Sequence, residues 1–310
     1  MKISSMNQNR IGHLELISVM FLSGTIGMFV EFSQQPIINI VFYRCAIGSF
    51  CLLIYCYIKG MFKDKLISSK KELLLSIIVG LSVVLNWLAL FSAYSYTSIG
   101  IATTIYHVQP IIVFFTGAFL FKERITGSRI LWLVIAFLGV LLIVNPLDNM
   151  TIDNGYIKGC ILALIAACLY SIATLATKLI KSTSTYVITL TQLLLGTLIL
   201  WPFVQFTILP QTTLEYSSII ILGVVHSAFM YILLYSSYKK LSTSSIAILS
   251  YIYPLVAVAT DYLVFHRTLS TWQIIGGTMV LTAGLCNKLS INPFYRLKKY
   301  KIGVTHDECS

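Results

Sequence analysis

The sequence predicts an all-α polytopic membrane protein in which ten transmembrane helices form two inverted five-helix repeats. Three observations predict it. Of 310 residues, 57% are hydrophobic and only 11% charged, with a mean hydropathy of +0.85, whereas a soluble domain carries about a quarter charged residues. The apolar residues fall into runs close to the roughly 20 residues that cross a bilayer. The basic residues alternate between loops, and the second half of the chain repeats features of the first. So few polar groups cannot cover a soluble globule, which excludes a soluble enzyme, a disordered chain or a nucleic-acid-binding domain as readings of the whole chain.

The elements follow in order. The polar start MKISSMNQNR is followed by no small-residue cleavage site, so the first span, 14–30, is expected to be an uncleaved anchor. Spans 37–58, 73–96, 100–121 and 128–144 complete the first half, and spans 156–177, 186–206, 216–238, 244–265 and 272–287 make the second. Short connectors force neighbouring spans to run antiparallel. The polar segment 145–155 divides the chain into a first repeat, 1–145, and a second, 156–288, leaving a basic tail, 289–310. With the N-terminus in the cytoplasm, 19 of the 22 Lys and Arg residues fall on that side, and only Arg44, Lys158 and Arg267 do not. That alternation predicts both termini inside, and it explains the net charge of +11 without nucleic acid.

Seven cysteines are scattered, at 45, 51, 56, 160, 168, 286 and 309, without CxxC or metal-ligand spacing, and are read as small apolar fillers. Sliding the chain by 144 residues brings Ser92, Tyr94, Ser98, Pro110 and Phe121 onto Ser236, Tyr238, Ser242, Pro254 and Phe265. The paired mid-helix prolines and the shared Ser-x-Tyr-x-x-x-Ser turn are the specific part. Two halves of five spans each must be inverted relative to one another, a plan that recurs in secondary transporters with a midplane substrate site.

Tyr94-Ser-Tyr-Thr-Ser-Ile-Gly-Ile-Ala, His107-Val-Gln-Pro110 and Phe119-Leu-Phe-Lys-Glu123-Arg-Ile-Thr resemble the EamA family of the drug/metabolite transporter superfamily. So do Phe42-Tyr-Arg44, Tyr251-Ile-Tyr-Pro254 and the pair Gly276-Gly277. The resemblance covers nearly the whole chain. It implies ten helices in two inverted repeats, and the movement of amino acids, related metabolites or amphipathic compounds, mostly outward, across a bacterial cytoplasmic membrane. Two positions depart from the family pattern: His266-Arg267 replaces an acidic residue after the ninth span, and Gly24-Thr-Ile-Gly27 replaces a tryptophan-glycine pair.

Ionisable and polar residues at membrane depth are costly, so each is a candidate for function. Tyr106, His107 and Gln109 cluster before Pro110, whose missing amide hydrogen frees the Tyr106 carbonyl. Ser250, Tyr251 and Tyr253 cluster around Pro254 in the second half. These two helix discontinuities are expected to face each other and form the substrate cavity, with Asn86, Trp87 and His226 as further lining groups and Tyr170 and Gln192 as weaker ones. A helix–helix hydrogen bond is the alternative for His107 and His226. Arg44 lies about 10 Å into the second span and is expected to pair with Glu31 or Asp261, as a structural ion pair or a gate. Glu15 is expected to be solvated, and Glu123 to belong to a loop charge cluster with Lys122 and Arg124.

The sequence has no GxxxxGK[ST], HExxH or GxSxG, so no machinery for ATP hydrolysis, metalloprotease or serine-hydrolase chemistry is visible. No metal and no cofactor is expected; the partners are a small-molecule substrate and the lipid bilayer, with the chain a monomer or homodimer. The leading expectation is a secondary exporter of a small metabolite, such as an amino acid or amine-like compound. Uptake or exchange is the alternative within transport, and a multispan membrane enzyme the alternative outside it.

Overall fold

Helices begin and end where polar residues and prolines interrupt the apolar runs. The computed structural model describes residues 2–62, 67–97, 99–144, 156–266, 270–289 and 291–293. The expected boundary at 145–155, Ser98, Arg267 and nearly all of the expected tail at 289–310 lie outside them. Helix α1 (Lys2–Ser33) stops before Gln34, which takes φ 48°, and Pro36 leads into α2 (Ile37–Ile58). Ser69 caps α3 (Lys70–Tyr94) by accepting the Glu72 amide, satisfying one of the donors a helix start leaves open. Then come α4 (Ile99–Tyr106), α5 (Gln109–Phe121) and α6 (Gly127–Val144).

The second half runs through α7 (Tyr156–Leu179), α8 (Thr185–Leu200), α9 (Thr213–Gly223), α10 (Met230–Lys240), α11 (Thr243–Ser250), α12 (Ile252–Phe265) and α13 (Thr271–Lys288). Ser184, Thr212 and Ser242 cap α8, α9 and α11, and Ser270 with Gln273 forms a reciprocal capping box on α13.

Four expected spans change form. Span 186–206 stops being α-helical at Leu200, where Pro202 sits in a single 3₁₀ turn, Trp201–Phe203. Span 216–238 contains a π-helical turn, Val224–Phe229, between α9 and α10. Spans 100–121 and 244–265 are each two helices, interrupted at His107–Val108 and at Tyr251. Ten spans are expected; among the described residues nine helical stretches are long and apolar enough to cross a membrane. The remaining one, expected at 272–287, forms α13, whose apolar middle is diluted by Gln273, Asn287 and Lys288 at its ends.

Packing crosses the two halves. Helix α1 lies on α9, α10 and α12 of the second half, while α7 lies on α3, α4 and α5 of the first. The larger hydrophobic cluster joins α1, α2, α3, α8 and α10 around Leu16, Val83, Leu193 and Tyr235. A second cluster, with Phe114, Leu133, Tyr251 and Val280, joins α5, α6, α11 and α13. Helices α6 and α13 meet backbone to backbone, since a Cβ on Gly276 would lie 2.3 Å from the Gly139 carbonyl oxygen. Only small residues allow that approach.

Candidate functional site

The break between α4 and α5 builds one wall of the site. Pro110 has no N–H for the Tyr106 carbonyl, and the Ile111 amide bonds Val108 O at 3.0 Å, which releases the His107 carbonyl as well. Tyr251, at the α11–α12 break, donates its hydroxyl to that His107 oxygen at 3.0 Å. The two breaks stand 144 residues apart in sequence and touch in space. The same offset relates Lys122 and His266, which end α5 and α12 with φ 53° each. Sequence reasoning identified the Tyr106 carbonyl as the one freed; the carbonyl that finds a partner is one residue later.

His107 is buried, and its Nδ1 lies 2.5 Å from the Thr103 carbonyl oxygen. A carbonyl only accepts, so Nδ1 holds the proton and Nε2 is left as an acceptor. That Nε2 is buried without a hydrogen-bond partner, and so is Asn86 Oδ1, whose amide nitrogen is spent on Ala166 O at 2.7 Å. Buried polar atoms are nearly always paired, so two orphaned acceptors on residues of one cavity lining need an explanation. The imidazole stacks on Tyr253 with centroids 5.3 Å apart and 15° between planes.

These groups surround a cavity of about 450 Å³, within the range that takes a small molecule. Of the residues expected there, Asn86, Trp87, Tyr106, His107, Gln109, Tyr170, Ser250 and Tyr253 line it, as do Pro110, Arg44 and Asp261. Sequence reasoning missed Met20, Ser23, Gly24 and Gly27 of α1, and Tyr94, Thr103, Met230, Tyr231 and Tyr238. Tyr94 and Tyr238 are the paired tyrosines of the 144-residue shift, so the repeat held the signal for them.

Five expected residues are not in the wall. Tyr251 is fully buried in the second hydrophobic cluster beneath His107, and reaches the site through the carbonyl it holds and through its ring, stacked on the imidazole with centroids 6.3 Å apart. Pro254 is buried in α12 without lining the cavity. Glu31 lies beyond it near the end of α1. His226 faces α1 instead, with Nε2 3.0 Å from Thr25 Oγ1 and its ring 5.2 Å from Phe29. Gln192 is buried elsewhere, where it accepts the Tyr235 hydroxyl.

Arg44 is also corrected. It does not form the ion pair expected with Glu31 or Asp261. Its Nε donates to Ser227 Oγ at 3.0 Å, its Nη2 to the His226 carbonyl at 3.4 Å, and its guanidinium carbon lies 5.1 Å from the Trp87 ring centroid. The π-helical turn makes this possible, because its wider winding breaks the regular carbonyl ladder and turns the His226 oxygen toward α2. Glycine lets the elements approach: a Cβ on Gly48 would stand 2.9 Å from Gly223 O.

At the other end of the bundle, Glu15, expected to be solvated, and Glu123, expected to belong to a loop charge cluster, tie helices together, and Glu72 does the same. Glu15 pairs with Lys240 at 2.5 Å and accepts from Ser236 at 2.9 Å. Glu123 pairs with Lys178 at 3.4 Å and accepts the Thr243 amide and hydroxyl at 3.0 and 2.9 Å, capping α11. Glu72 accepts the amides of Lys181, Ser182 and Thr183. Among the described residues no three His, Cys, Asp or Glu side chains converge as metal ligands would.

The sequence model of the EamA-like transporter family matches this chain twice, at 10–145 and 157–286. The uncharacterized transporter YxxF of Bacillus subtilis (strain 168) is 30% identical over 280 residues, covering 89% of each chain. An uncharacterized transporter of Archaeoglobus fulgidus is 26% identical over 280 residues, 89% of this chain and 96% of its own. A solved crystal structure superposes with a TM-score of 0.77 at 16% identity, over 88% of this chain and 96% of the other, and that likeness concerns the fold.

Proposed function

The chain belongs to the EamA-like transporter family, and we propose that it is a secondary active exporter of a small metabolite, such as an amino acid or amine-like compound, across the bacterial cytoplasmic membrane. It is a membrane transporter and not an enzyme. The observation that carries the finer reading is the cavity at the helix breaks, where His107 Nε2 and Asn86 Oδ1 are acceptors with nothing to accept. A solute N–H would satisfy them, and Tyr106, Tyr170, Tyr253 and Trp87 would pack against its body.

The architecture behind it is ten spans in two inverted repeats, 1–145 and 156–288, with α13 as the tenth span and both termini cytoplasmic. Three observations support this: the two separate family matches, the breaks recurring at one offset, and the first helix of each half packed on the other half. Inverted halves whose discontinuous helices meet at mid-depth suit alternating access. The chain has no phosphate-binding loop, so a solute or ion gradient supplies the energy.

Metabolite profiles of medium and cytosol, from cells with and without the protein, test the reading. The expected result is one or a few small nitrogen-containing metabolites shifted to the medium, with the shift largely lost in His107→Ala while membrane levels of the protein hold. Identical profiles would refute export, and wild-type efflux from His107→Ala would remove His107 from the site.

A further inference from the structure

Arg44 places a permanent positive charge in the wall of a largely aromatic and apolar cavity, whose lining also holds Asn86, His107, Gln109 and Asp261, none of them paired with the guanidinium. The guanidinium does not lose its proton in proteins, and an unneutralised charge at membrane depth is costly. Its protein partners are a hydroxyl, a carbonyl and a ring face. Those are dipoles and a quadrupole: they orient the group without cancelling its charge. Among the described residues the ion pairs lie at the far end of the bundle, Lys178–Glu123 and Lys240–Glu15. Five N–H bonds are available on a guanidinium, and the protein takes one on Nε and one on Nη2. Nη1 has no acceptor among the described residues, although the residue is only 4% exposed and lines the cavity.

The arrangement is built rather than incidental. Ser227 is itself fixed by donating to Leu222 O at 2.8 Å, across the widened π-helical turn, and Trp87 lies beside the guanidinium on the cavity wall. One edge of the fork is anchored and the remaining donors are left over. That is the geometry in which arginine takes a carboxylate through parallel hydrogen bonds.

We propose that Arg44 is the anion subsite of this cavity, and that the transported solute carries a carboxylate on an apolar or aromatic body. This rests on the transporter reading above and narrows it: a simple amine without an acid group would leave the buried cation uncompensated. Ser227 and the His226 carbonyl are then positioning groups for Arg44, and the solute completes the charge balance.

Thermal unfolding of the purified full-length protein in detergent tests the subsite without any transport assay. The probes are the twenty L-amino acids, their carboxamides, and straight-chain monocarboxylates. At least one acid is expected to raise the melting temperature of the wild type, and its carboxamide, identical but for the charge, to need about tenfold more or to fail, the scale of a lost charge-assisted hydrogen bond pair. Arg44→Gln should abolish the acid's effect, and Arg44→Lys should weaken it because a point charge cannot bind in parallel. The acid–amide comparison on the wild type holds even if Arg44→Gln fails to fold. No stabilising acid, amides as effective as acids, or an undiminished effect in folded Arg44→Gln would each overturn the assignment. Export profiles unchanged by the protein, with acid binding intact and dependent on Arg44, would refute the exporter reading and leave this subsite standing.

Discussion

His107 owes its chemistry to the backbone on either side of it. Thr103 O fixes the tautomer from one side, and Tyr251 holds the carbonyl from the other. Thr103 and His107 both line the cavity, and the two contacts together fix the tautomer and orientation of the imidazole whose Nε2 is left without a partner. Replacing Tyr251 by Phe leaves the His107 carbonyl buried without a donor, at a cost of about 1–3 kcal/mol. The expected outcome is a folded protein of lower stability in chemical denaturation, with a raised half-saturation concentration for solute. Unchanged values for both would show that the bond does not set the imidazole. Tyr251 was placed in the cavity by the sequence because it precedes Pro254 as His107 precedes Pro110. The parallel is sound for the backbone break, but in a helix break one residue faces the cavity and its counterpart props it, and only packing decides which.

At the level of elements, the end of the bundle away from the cavity is joined by carboxylates that bind helix starts and lysines on other helices. Glu123 follows α5, yet it caps α11 and meets Lys178 at the end of α7. A double-mutant cycle between Glu123→Gln and Lys178→Met should give a coupling energy of about 0.5–3 kcal/mol, since the two share one network; strict additivity would mean the pair is only a surface encounter. Ser227→Ala, which removes the acceptor from Arg44 Nε, should lower uptake or efflux of a carboxylate solute more than it lowers stability, and equal losses would make Ser227 merely structural. Most of these elements are legible in the sequence as apolar runs of bilayer-spanning length bounded by charges or turn residues. The π-helical turn was not legible: Val224–Phe229 reads as part of one uninterrupted span, with His226 and Ser227 as its polar residues and no proline or glycine pair to mark the insertion. The ties of Glu15 and Glu123 were hidden for another reason, since a charge near a helix end is normally solvated and the partners are distant in sequence: Lys178 and Thr243 for Glu123, Ser236 and Lys240 for Glu15.

Across the whole molecule, the cavity and the carboxylate ties occupy opposite ends. The cavity lining on α1 runs from Met20 to Met28, on α3 from Asn86 to Tyr94, and on α12 from Tyr253 to Asp261. These are the helix portions nearer the end where Phe32 and Phe265 meet, 5.7 Å between centroids. The ties use Glu15, Glu72 and Glu123, at the other extremities of α1 and α3 and just past α5. In the topology proposed here, the tied end is cytoplasmic and the cavity leans outward, so the structure has the form of an alternating-access state shut on the inside. Each tie then contributes only to this state, and removing one shifts the population by its differential energy, tenfold for every 1.4 kcal/mol or so. A cysteine at Met28, with the native cysteines replaced, should react with a membrane-impermeant thiol reagent applied outside. Combining Glu15→Gln with Glu123→Gln should slow that reaction and speed labelling from the cytoplasmic side of inverted vesicles. If both rates stay at the parent value while the proteins remain folded, the carboxylates hold helices together without governing which face is open.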